Sequence, residues 1–429
     1  MSPLHYFTDP VLQAPTIGSI LMCLSSALVG VIVFLRKRSL LGEALSHAAY
    51  PGVVLSVLFM AVFFPDSSDG VALAILVGAF ITSLLGLWVI EKMERKFKVK
   101  NDAALCFVLS VFFGVGVLVA SRIQFSYALW YKTVQIFLYG QAATMISIHV
   151  MIYAVLSLVL LICLFLLYRH IQMTIFDRDF SKSVGVPISW IDTMLFLLLV
   201  FAIVIGIRSV GVVLMAGMLI APAVAARQFS NRFWIVLIWA GLIGAFSGFL
   251  GNYLSLEMPA WGNWKFSLPT GPMILLSATA ICILALLLAP QNGFLSRMVR
   301  IYRFRKQRLE ENLLKFLWRQ GGEASEEELK HLKSWVALRR LKRQGWIVTH
   351  PKVRLTQDGR LKAAHIVRLH RLWEVYLVHI GQGVEKVHRN AEEMEHIITP
   401  ELEKELEELL GHPKQDPHAQ PIPPKEKTL

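Results

Sequence analysis

Six histidine and glutamate side chains between residues 370 and 396 have the types and the spacing to bind a divalent metal ion. The stretch HRLWEVYLVHIGQGVEKVHRNAEEMEH reads as two helices separated by Gly381-Gln382-Gly383. Residues four apart share a helix face, and the candidates are His370, Glu374, His388, Glu392, Glu395 and His396. Imidazole and carboxylate without thiolate suit Mn²⁺ or Fe²⁺, although Zn²⁺ also binds such sites. A single helical histidine is more often an ordinary surface or core residue, but six candidates on two helices favour a metal site.

The helices that carry these residues belong to a soluble part that follows a long apolar part. Hydrophobic residues make up 55% of the 429 residues and charged residues only 17%, which excludes one large soluble protein. Residues 301–429 hold 24 of the 43 Lys and Arg and nine of the 13 His. We therefore predict a membrane domain followed by a soluble domain. The four cysteines lie in apolar runs and indicate neither a disulfide framework nor a thiolate metal site.

Long apolar runs predict an all-α polytopic membrane domain with about eight or nine transmembrane helices. These runs lie near residues 16–35, 53–64, 71–90, 103–120, 148–167, 192–207, 209–226, 233–254 and 271–289. By the positive-inside rule, the basic loops are cytoplasmic; they lie at residues 36–38, 91–100, 169–170 and 227–232. The N-terminus is then outside, the soluble domain is cytoplasmic, and no cleavable signal peptide is predicted.

A second pair of candidate ligands lies within the membrane domain, in GEALSHAAYPG at residues 42–52. Glu43 and His47 are four apart on a predicted helix that ends at Pro51-Gly52. Ionisable side chains at membrane depth are costly and usually line a pathway. The alternative is an interfacial helix end with a snorkelling Glu43 and a His47 bonded to a backbone carbonyl. Spacing alone leaves both interpretations open.

A polar, amphipathic stretch comes after one of the predicted spans, QMTIFDRDFSKSVGVPIS at residues 172–189. One interpretation is an ordinary loop between spans. The more specific interpretation is that this stretch forms a helix on which a cytoplasmic partner docks.

Three motifs of the membrane domain resemble those of the ABC-transporter permeases that import zinc, manganese or iron. GEALSHAAYPG, FDRDFSKSVGVP and SVGVVLMAGMLIAPAVAARQFSNR (Ser209–Arg232) occur in that family's order. The resemblance covers nearly all of residues 10–295. It implies that Glu43 and His47 contact the metal in transit, although the family usually has Asp where Glu43 stands. It also implies that residues 176–187 rest on the ATPase subunit; the coupling candidates are Phe176, Asp177, Asp179, Ser183 and Gly185.

The partners and the location are implied by the same resemblance. No GxxxxGK[ST] motif occurs in the sequence, so the chain is expected to be no enzyme and to depend on a separate cytoplasmic ABC ATPase subunit. The other expected partners are an extracytoplasmic metal-binding protein and a second permease subunit, either a second copy or a paralogue. The expected location is the bacterial cytoplasmic (inner) membrane.

The soluble part begins after a basic linker at residues 297–308 and predicts a winged helix-turn-helix over residues 309–366. The expected helices are Glu311–Arg319, Glu326–Leu332 and Ser334–Gln344, followed by a small ribbon around His350-Pro351. Residues 301–371 carry 18 Lys and Arg against 7 Asp and Glu, which suits DNA phosphates. The DNA-binding candidates are Ser334, Arg339, Arg340, Lys342 and Arg343. A winged helix that makes only protein contacts is the alternative.

The remainder, residues 367–429, completes a resemblance to the iron- and manganese-responsive repressors of the diphtheria-toxin-repressor family. It rests on LTQDGRLKAAHIVRLHRLWEVYLV, VHRNAEEMEHI and HPKQDPHAQPIP. It implies an α-helical metal-binding domain that forms a homodimer on operator DNA. By motif, His370, Glu374 and His388 form the first metal site, and Glu392, Glu395 and His396 form the second, DNA-activating site. Asn312 stands where the first helix of that family offers a Met or Asp ligand.

Together the two resemblances predict one chain in which residues 1–296 import a metal ion and residues 309–429 report it to an operator. Two alternatives remain: a membrane-tethered sensor that does not transport, and a permease whose tail inhibits transport without binding DNA. A repressor held at the membrane reaches only nearby DNA. We therefore also predict cleavage near Arg297–Arg308, which would release the tail.

Overall fold

The computed structural model describes residues 3–64, 70–263, 268–325, 328–329, 335–350 and 352–425. The chain divides into two compact units, Met1–Ser296 and Arg297–Leu429, and each has its own apolar core. Residues 65–69 and 264–267 lie outside the described residues, as do Pro351 and Ser334.

The described residues of the first unit are helical wherever they form regular structure. In chain order the helices are α1 (His5–Thr8), α2 (Pro10–Leu35), α3 (Ser39–Phe63), α4 (Val71–Arg95), α5 (Asn101–Ser126), α6 (Ala128–Tyr139), α7 (Ser147–Phe176), α8 (Arg178–Ser183), α9 (Ile188–Val210), α10 (Met215–Phe229), α11 (Phe233–Trp261) and α12 (Thr270–Leu288). A single 3₁₀ turn, Ala142–Thr144, precedes α7.

Eight helices among the described residues are long and apolar enough to cross a membrane, within the predicted eight or nine. The run predicted at 209–226 differs, because α9 ends at Val210 and Gly211 adopts a positive φ of 94°. The next helix, α10, has only 15 residues, which is shorter than the roughly 20 residues that a bilayer core requires.

Helix α3 carries Glu43 and His47 and continues through Pro51. The prediction that this helix ends at Pro51-Gly52 is therefore wrong. Proline lacks an amide hydrogen, so the carbonyl of His47 loses its helical donor, but membrane helices tolerate this where neighbouring helices enclose them. Gly52 lets α3 meet α4 closely, because a Cβ atom there would lie 2.1 Å from the carbonyl oxygen of Gly78. This close packing of small residues holds α3 in the interior.

In its described residues the second unit combines helices with three short strands. Its elements are α13 (Phe294–Arg319), β1 (Glu323–Ala324), α14 (Trp335–Arg343), β2 (Ile347–Val348), β3 (Val353–Leu355), α15 (Gln357–His379), α16 (Val384–Met394) and α17 (Pro400–Leu409). The strands form an antiparallel sheet in the order β1-β3-β2. Of the predicted helix at 326–332, only residues 328–329 are described.

Two predicted domain boundaries fall inside helices. The basic run at residues 297–308, predicted as a linker, is the first half of α13, and the boundary between residues 366 and 367 lies within α15. The second half of α13 packs with α14, the sheet and the start of α15 in one core, through residues that include Leu317, Leu341 and Ile366.

The long helix α15 is also held by the end of the chain. Arg368 Nε lies 3.0 Å from Glu403 Oε1 of α17, and Arg371 Nε lies 3.4 Å from Asp416 Oδ2. Since these arginines flank His370, the contacts fix the part of α15 from which the metal-ligand candidates project.

Candidate metal centres

Helices α15 and α16 bring together His370, Glu374 and His388, the three residues of the predicted first metal site. His370 Nε2 lies 3.2 Å from Glu374 Oε1, one turn away on α15. From α16, His388 Nδ1 lies 2.8 Å from the same oxygen and 3.1 Å from His370 Nε2. The three ligand atoms therefore form a compact triangle.

The triangle fits one face of the coordination shell of a first-row divalent ion. Two ligands at about 2.1 Å from an ion and about 90° apart lie about 3 Å from each other. The side chains of His370 and Glu374 are buried, whereas that of His388 is 48% exposed, so solvent reaches the triangle from one side. Two imidazoles and one carboxylate are suitable donors for such an ion.

Hydrogen bonds within the triangle set the charges of two of its members. Burial opposes the charged form of Glu374, but hydrogen bonds from His370 and His388 outweigh it and lower the pKa of Glu374 to about 2. Burial also lowers the pKa of His370, but hydrogen bonds to Glu374 and Glu395 outweigh it and raise that pKa above its usual value. Metal binding therefore competes with a proton on His370 up to a higher pH than at an ordinary histidine, whereas Glu374 is already charged.

The predicted second metal site contains a lysine from α13. Lys315 Nζ lies 2.6 Å from Glu395 Oε1 and 3.9 Å from Glu392 Oε1. The other oxygen of Glu395 lies 2.5 Å from His370 Nδ1. Both oxygens of Glu395 therefore already have partners, and an ammonium stands where a second metal ion was expected.

His396 pairs with Glu311, and Asn312 does not take part. His396 Nδ1 lies 2.5 Å from Glu311 Oε2. Asn312 is exposed, and among the described residues no polar contact joins it to these side chains. Sequence reasoning thus missed Glu311 and Lys315, which are both buried and four apart on α13. Leu314 lies on the same face of α13 as Glu311 and Lys315. Its apolar side chain could have indicated that this face, with both residues, is buried.

In the first unit, Glu43 and His47 lie one turn apart on α3. His47 is buried, with 9% of its surface exposed, and Glu43 is partly buried. The His47 ring stands edge-on to Phe113, 4.7 Å between centroids, and its Nδ1 has no hydrogen-bond partner among the described residues. The His47 carbonyl also lacks its helical donor at Pro51. An unpartnered imidazole nitrogen and a freed carbonyl oxygen on one turn are ligands that a passing cation can use.

The predicted coupling segment forms the short helix α8. Asp177 caps it by accepting a hydrogen bond of 2.8 Å from the Phe180 amide. Phe176, Phe180 and Val184 are each more than half exposed and succeed one another at four-residue spacing. Gly185, two residues after the end of α8, has a φ of 82°. The segment therefore presents apolar side chains to its surroundings.

Asp192, which sequence reasoning did not single out, joins this segment to two transmembrane helices. From its place on α9 it accepts hydrogen bonds from Arg36 Nη1 at 2.7 Å and from Arg178 Nη2 at 2.6 Å. Arg36 comes directly after α2, and Arg178 begins α8. One largely buried carboxylate thus connects α2, α8 and α9.

Helix α14 has one apolar face and one basic face. Ala337 and Leu341 are buried, whereas the four basic candidates are exposed; these are Arg339, Arg340, Lys342 and Arg343. Two of the four already have contacts, since the Arg339 guanidinium lies 3.9 Å over the Trp335 ring and Arg340 Nε lies 3.4 Å from Glu310 Oε1. Ser334 lies outside the described residues.

Comparison with known proteins divides the chain in the same way. Residues 8–289 match the family model of the ABC 3 transport family, and residues 356–424 match that of the iron dependent repressor, metal binding and dimerisation domain. A probable metal transport system membrane protein of Chlamydia trachomatis is 33% identical over 441 residues, 97% of each chain. The manganese transport system membrane protein MntC of Bacillus subtilis is 33% identical over 84% of this chain and 83% of its own length. The structure of PsaBC from Streptococcus pneumoniae in complex with Fab shares the fold, with a TM-score of 0.58 and 23% identity over 70% of this chain and 97% of that one.

Proposed function

The chain belongs to the ABC 3 transport family, and on that premise we propose that it is the permease subunit of an importer for a divalent transition metal, fused to a metal-dependent transcriptional repressor. Mn²⁺ or Fe²⁺ suits its nitrogen and oxygen ligands best, with Zn²⁺ as the alternative. The observation that carries this proposal is the triangle of His370, Glu374 and His388, a metal-ligand set that lies outside the permease unit.

For transport, an extracytoplasmic binding protein delivers the metal ion to a pathway that passes Glu43 and His47. A separate ATPase subunit drives the reaction and docks on α8, and the exposed Phe176, Phe180 and Val184 support this docking. A second permease subunit completes the pathway. The chain itself catalyses no covalent chemistry.

For regulation, His370, Glu374 and His388 hold the imported ion in the cytoplasm. The bound ion supplies positive charge that joins α15 to α16. Two chains dimerise through the C-terminal domain and place two winged helix-turn-helix units on one operator. Lys342 and Arg343 on α14 are the candidates for phosphate contacts, because Arg339 and Arg340 already contact Trp335 and Glu310. Cleavage near Arg297–Arg308 frees the tail from the membrane.

DNA binding by the full chain in lipid nanodiscs tests the regulatory half. Fluorescence anisotropy would monitor a labelled fragment from upstream of the gene that encodes the chain, with and without Mn²⁺. We expect Mn²⁺ to tighten binding in the parent chain and in His379→Ala, which removes an exposed histidine of α15 that lies outside the triangle. His388→Ala is expected to lose the effect.

The outcomes separate the competing functions. Binding that ignores Mn²⁺ in every variant would contradict the repressor. In that case, inhibition of ⁵⁴Mn uptake by cytoplasmic metal would indicate an autoinhibitory tail instead. Metal-dependent DNA binding without any uptake by cells that hold the partner subunits would indicate a tethered sensor.

A further inference from the structure

We propose that Lys315 is the resident cation of the second metal site, so that the soluble unit binds one divalent ion per chain, at His370, Glu374 and His388. This inference deepens the proposed function and rests on it. In place of a second ion, Lys315 and Glu395 act as positioning residues for the first site.

Lys315 is buried within the second site and contacts its carboxylates. Its side chain is 7% exposed and Glu395 is fully buried. The 2.6 Å contact between Lys315 Nζ and Glu395 Oε1 is a direct charge-assisted hydrogen bond, and Glu392 lies 3.9 Å away on the side nearer to solvent. Because Lys315 lies one turn after Glu311 on α13, both side chains enter the same space.

Two further donor atoms of the second site are also engaged, whereas His396 Nε2, 3.5 Å from Glu395 Oε1, has no hydrogen-bond partner among the described residues. Glu395 Oε2 is bonded to His370 Nδ1 at 2.5 Å, and His396 Nδ1 to Glu311 Oε2 at 2.5 Å. An ion among these groups would stand beside the ammonium, where little water screens the repulsion between like charges. The residues present therefore do not fit a second divalent ion while Lys315 keeps its place.

Glu395 has a different role that its contacts define. A metal-binding histidine usually donates its other ring N–H to a carboxylate, which fixes the ring's orientation and tautomer. The bond from His370 Nδ1 to Glu395 does this and leaves His370 Nε2 directed at the triangle. Lys315 balances the buried charge of Glu395. The chain of contacts Lys315–Glu395–His370 thus connects α13 to the first metal site without a second ion.

Metal counting on the full chain in detergent tests the proposal. Each variant would be titrated with Mn²⁺ alone by equilibrium dialysis until its first site saturates, and its bound metal measured by mass spectrometry. We expect Glu392→Gln to bind as many ions as the parent and Lys315→Met to bind one more. Arg308→Met removes an exposed cation of the same helix and is expected to match the parent.

A second variant checks the positioning role. We expect Glu395→Gln to keep the parent's number of ions while its affinity falls about 10- to 100-fold, as for other carboxylates that support a metal-binding histidine. Loss of a whole ion in Glu395→Gln or in Glu392→Gln would overturn the proposal. The Glu392→Gln variant tests the proposal even if Lys315→Met does not fold. Glu392 is half exposed, so its substitution is expected to leave folding intact.

Failure of the proposed function gives a different result. If His388→Ala binds as many ions as the parent, the triangle is no metal site and the sensing function itself falls. If His388→Ala loses one ion and Glu392→Gln loses another, sensing stands and only the role of Lys315 is overturned.

Discussion

Acidification should weaken Mn²⁺ binding at the first site through one proton on His370. Nδ1 of His370 bonds to Glu395 and Nε2 bonds to Glu374, and these bonds raise the pKa of His370 above 6.5. Below that raised pKa, each ion that binds must displace one proton from Nε2. This proton alone makes the affinity rise about tenfold per pH unit, roughly 1.4 kcal/mol, and its contribution ends above the pKa of His370.

Equilibrium dialysis of the full chain between about pH 6 and about pH 8 measures this dependence around the imidazole range. The difference in bound Mn²⁺ between the parent and His388→Ala isolates the first site from any ion in the permease. Glu395→Gln removes one of the two bonds that raise the pKa, so its affinity is expected to level off at lower pH than the parent's. His379→Ala should match the parent. An affinity that does not change between about pH 6 and about pH 7 would refute this account of His370.

Three further substitutions test the other sites. His47→Ala is expected to reduce ⁵⁴Mn uptake to background without lowering the amount of chain in the membrane, and normal uptake would contradict the proposed pathway. Asp192→Asn weakens the ion pairs with Arg36 and Arg178 and should lower uptake several-fold; unchanged uptake would show that α8 acts through other contacts. Lys342→Ala is expected to weaken DNA binding on every sequence and to reduce the magnitude of its salt slope by about 0.9, as for one phosphate contact; an unchanged slope would remove Lys342 from the interface.

Periodicity and charge were sufficient to predict a membrane part of eight or nine helices followed by a separate second part. Runs of apolar residues gave the membrane helices, and the four-residue spacing of His370 and Glu374 placed both on one face of α15. The resemblances to metal-importing permeases and to metal-dependent repressors are confirmed by the matches over residues 8–289 and 356–424. The roles assigned to Glu43, His47 and the basic residues of α14 stay predictions.

The features that sequence reasoning missed depend on contacts between distant segments. Lys315 and Glu395 are 80 residues apart in sequence, and no local pattern shows that a lysine would enter a carboxylate cluster. Asp192 and Arg36 are 156 apart and pair only after the transmembrane helices pack. The prediction of a helix end at Pro51 rests on the fact that proline breaks helices in water. In α3 the enclosure by neighbouring helices decides instead.

The central claim is that one chain transports the metal ion and also senses it, and that separate residues perform the two tasks. It is tested most directly by measuring ⁵⁴Mn uptake and a transcriptional reporter of the chain's own promoter together in one strain. We predict that His47→Ala loses uptake, whereas His388→Ala keeps uptake and loses metal-dependent repression. The claim would be contradicted if His388→Ala abolished uptake, or if it left repression by Mn²⁺ intact.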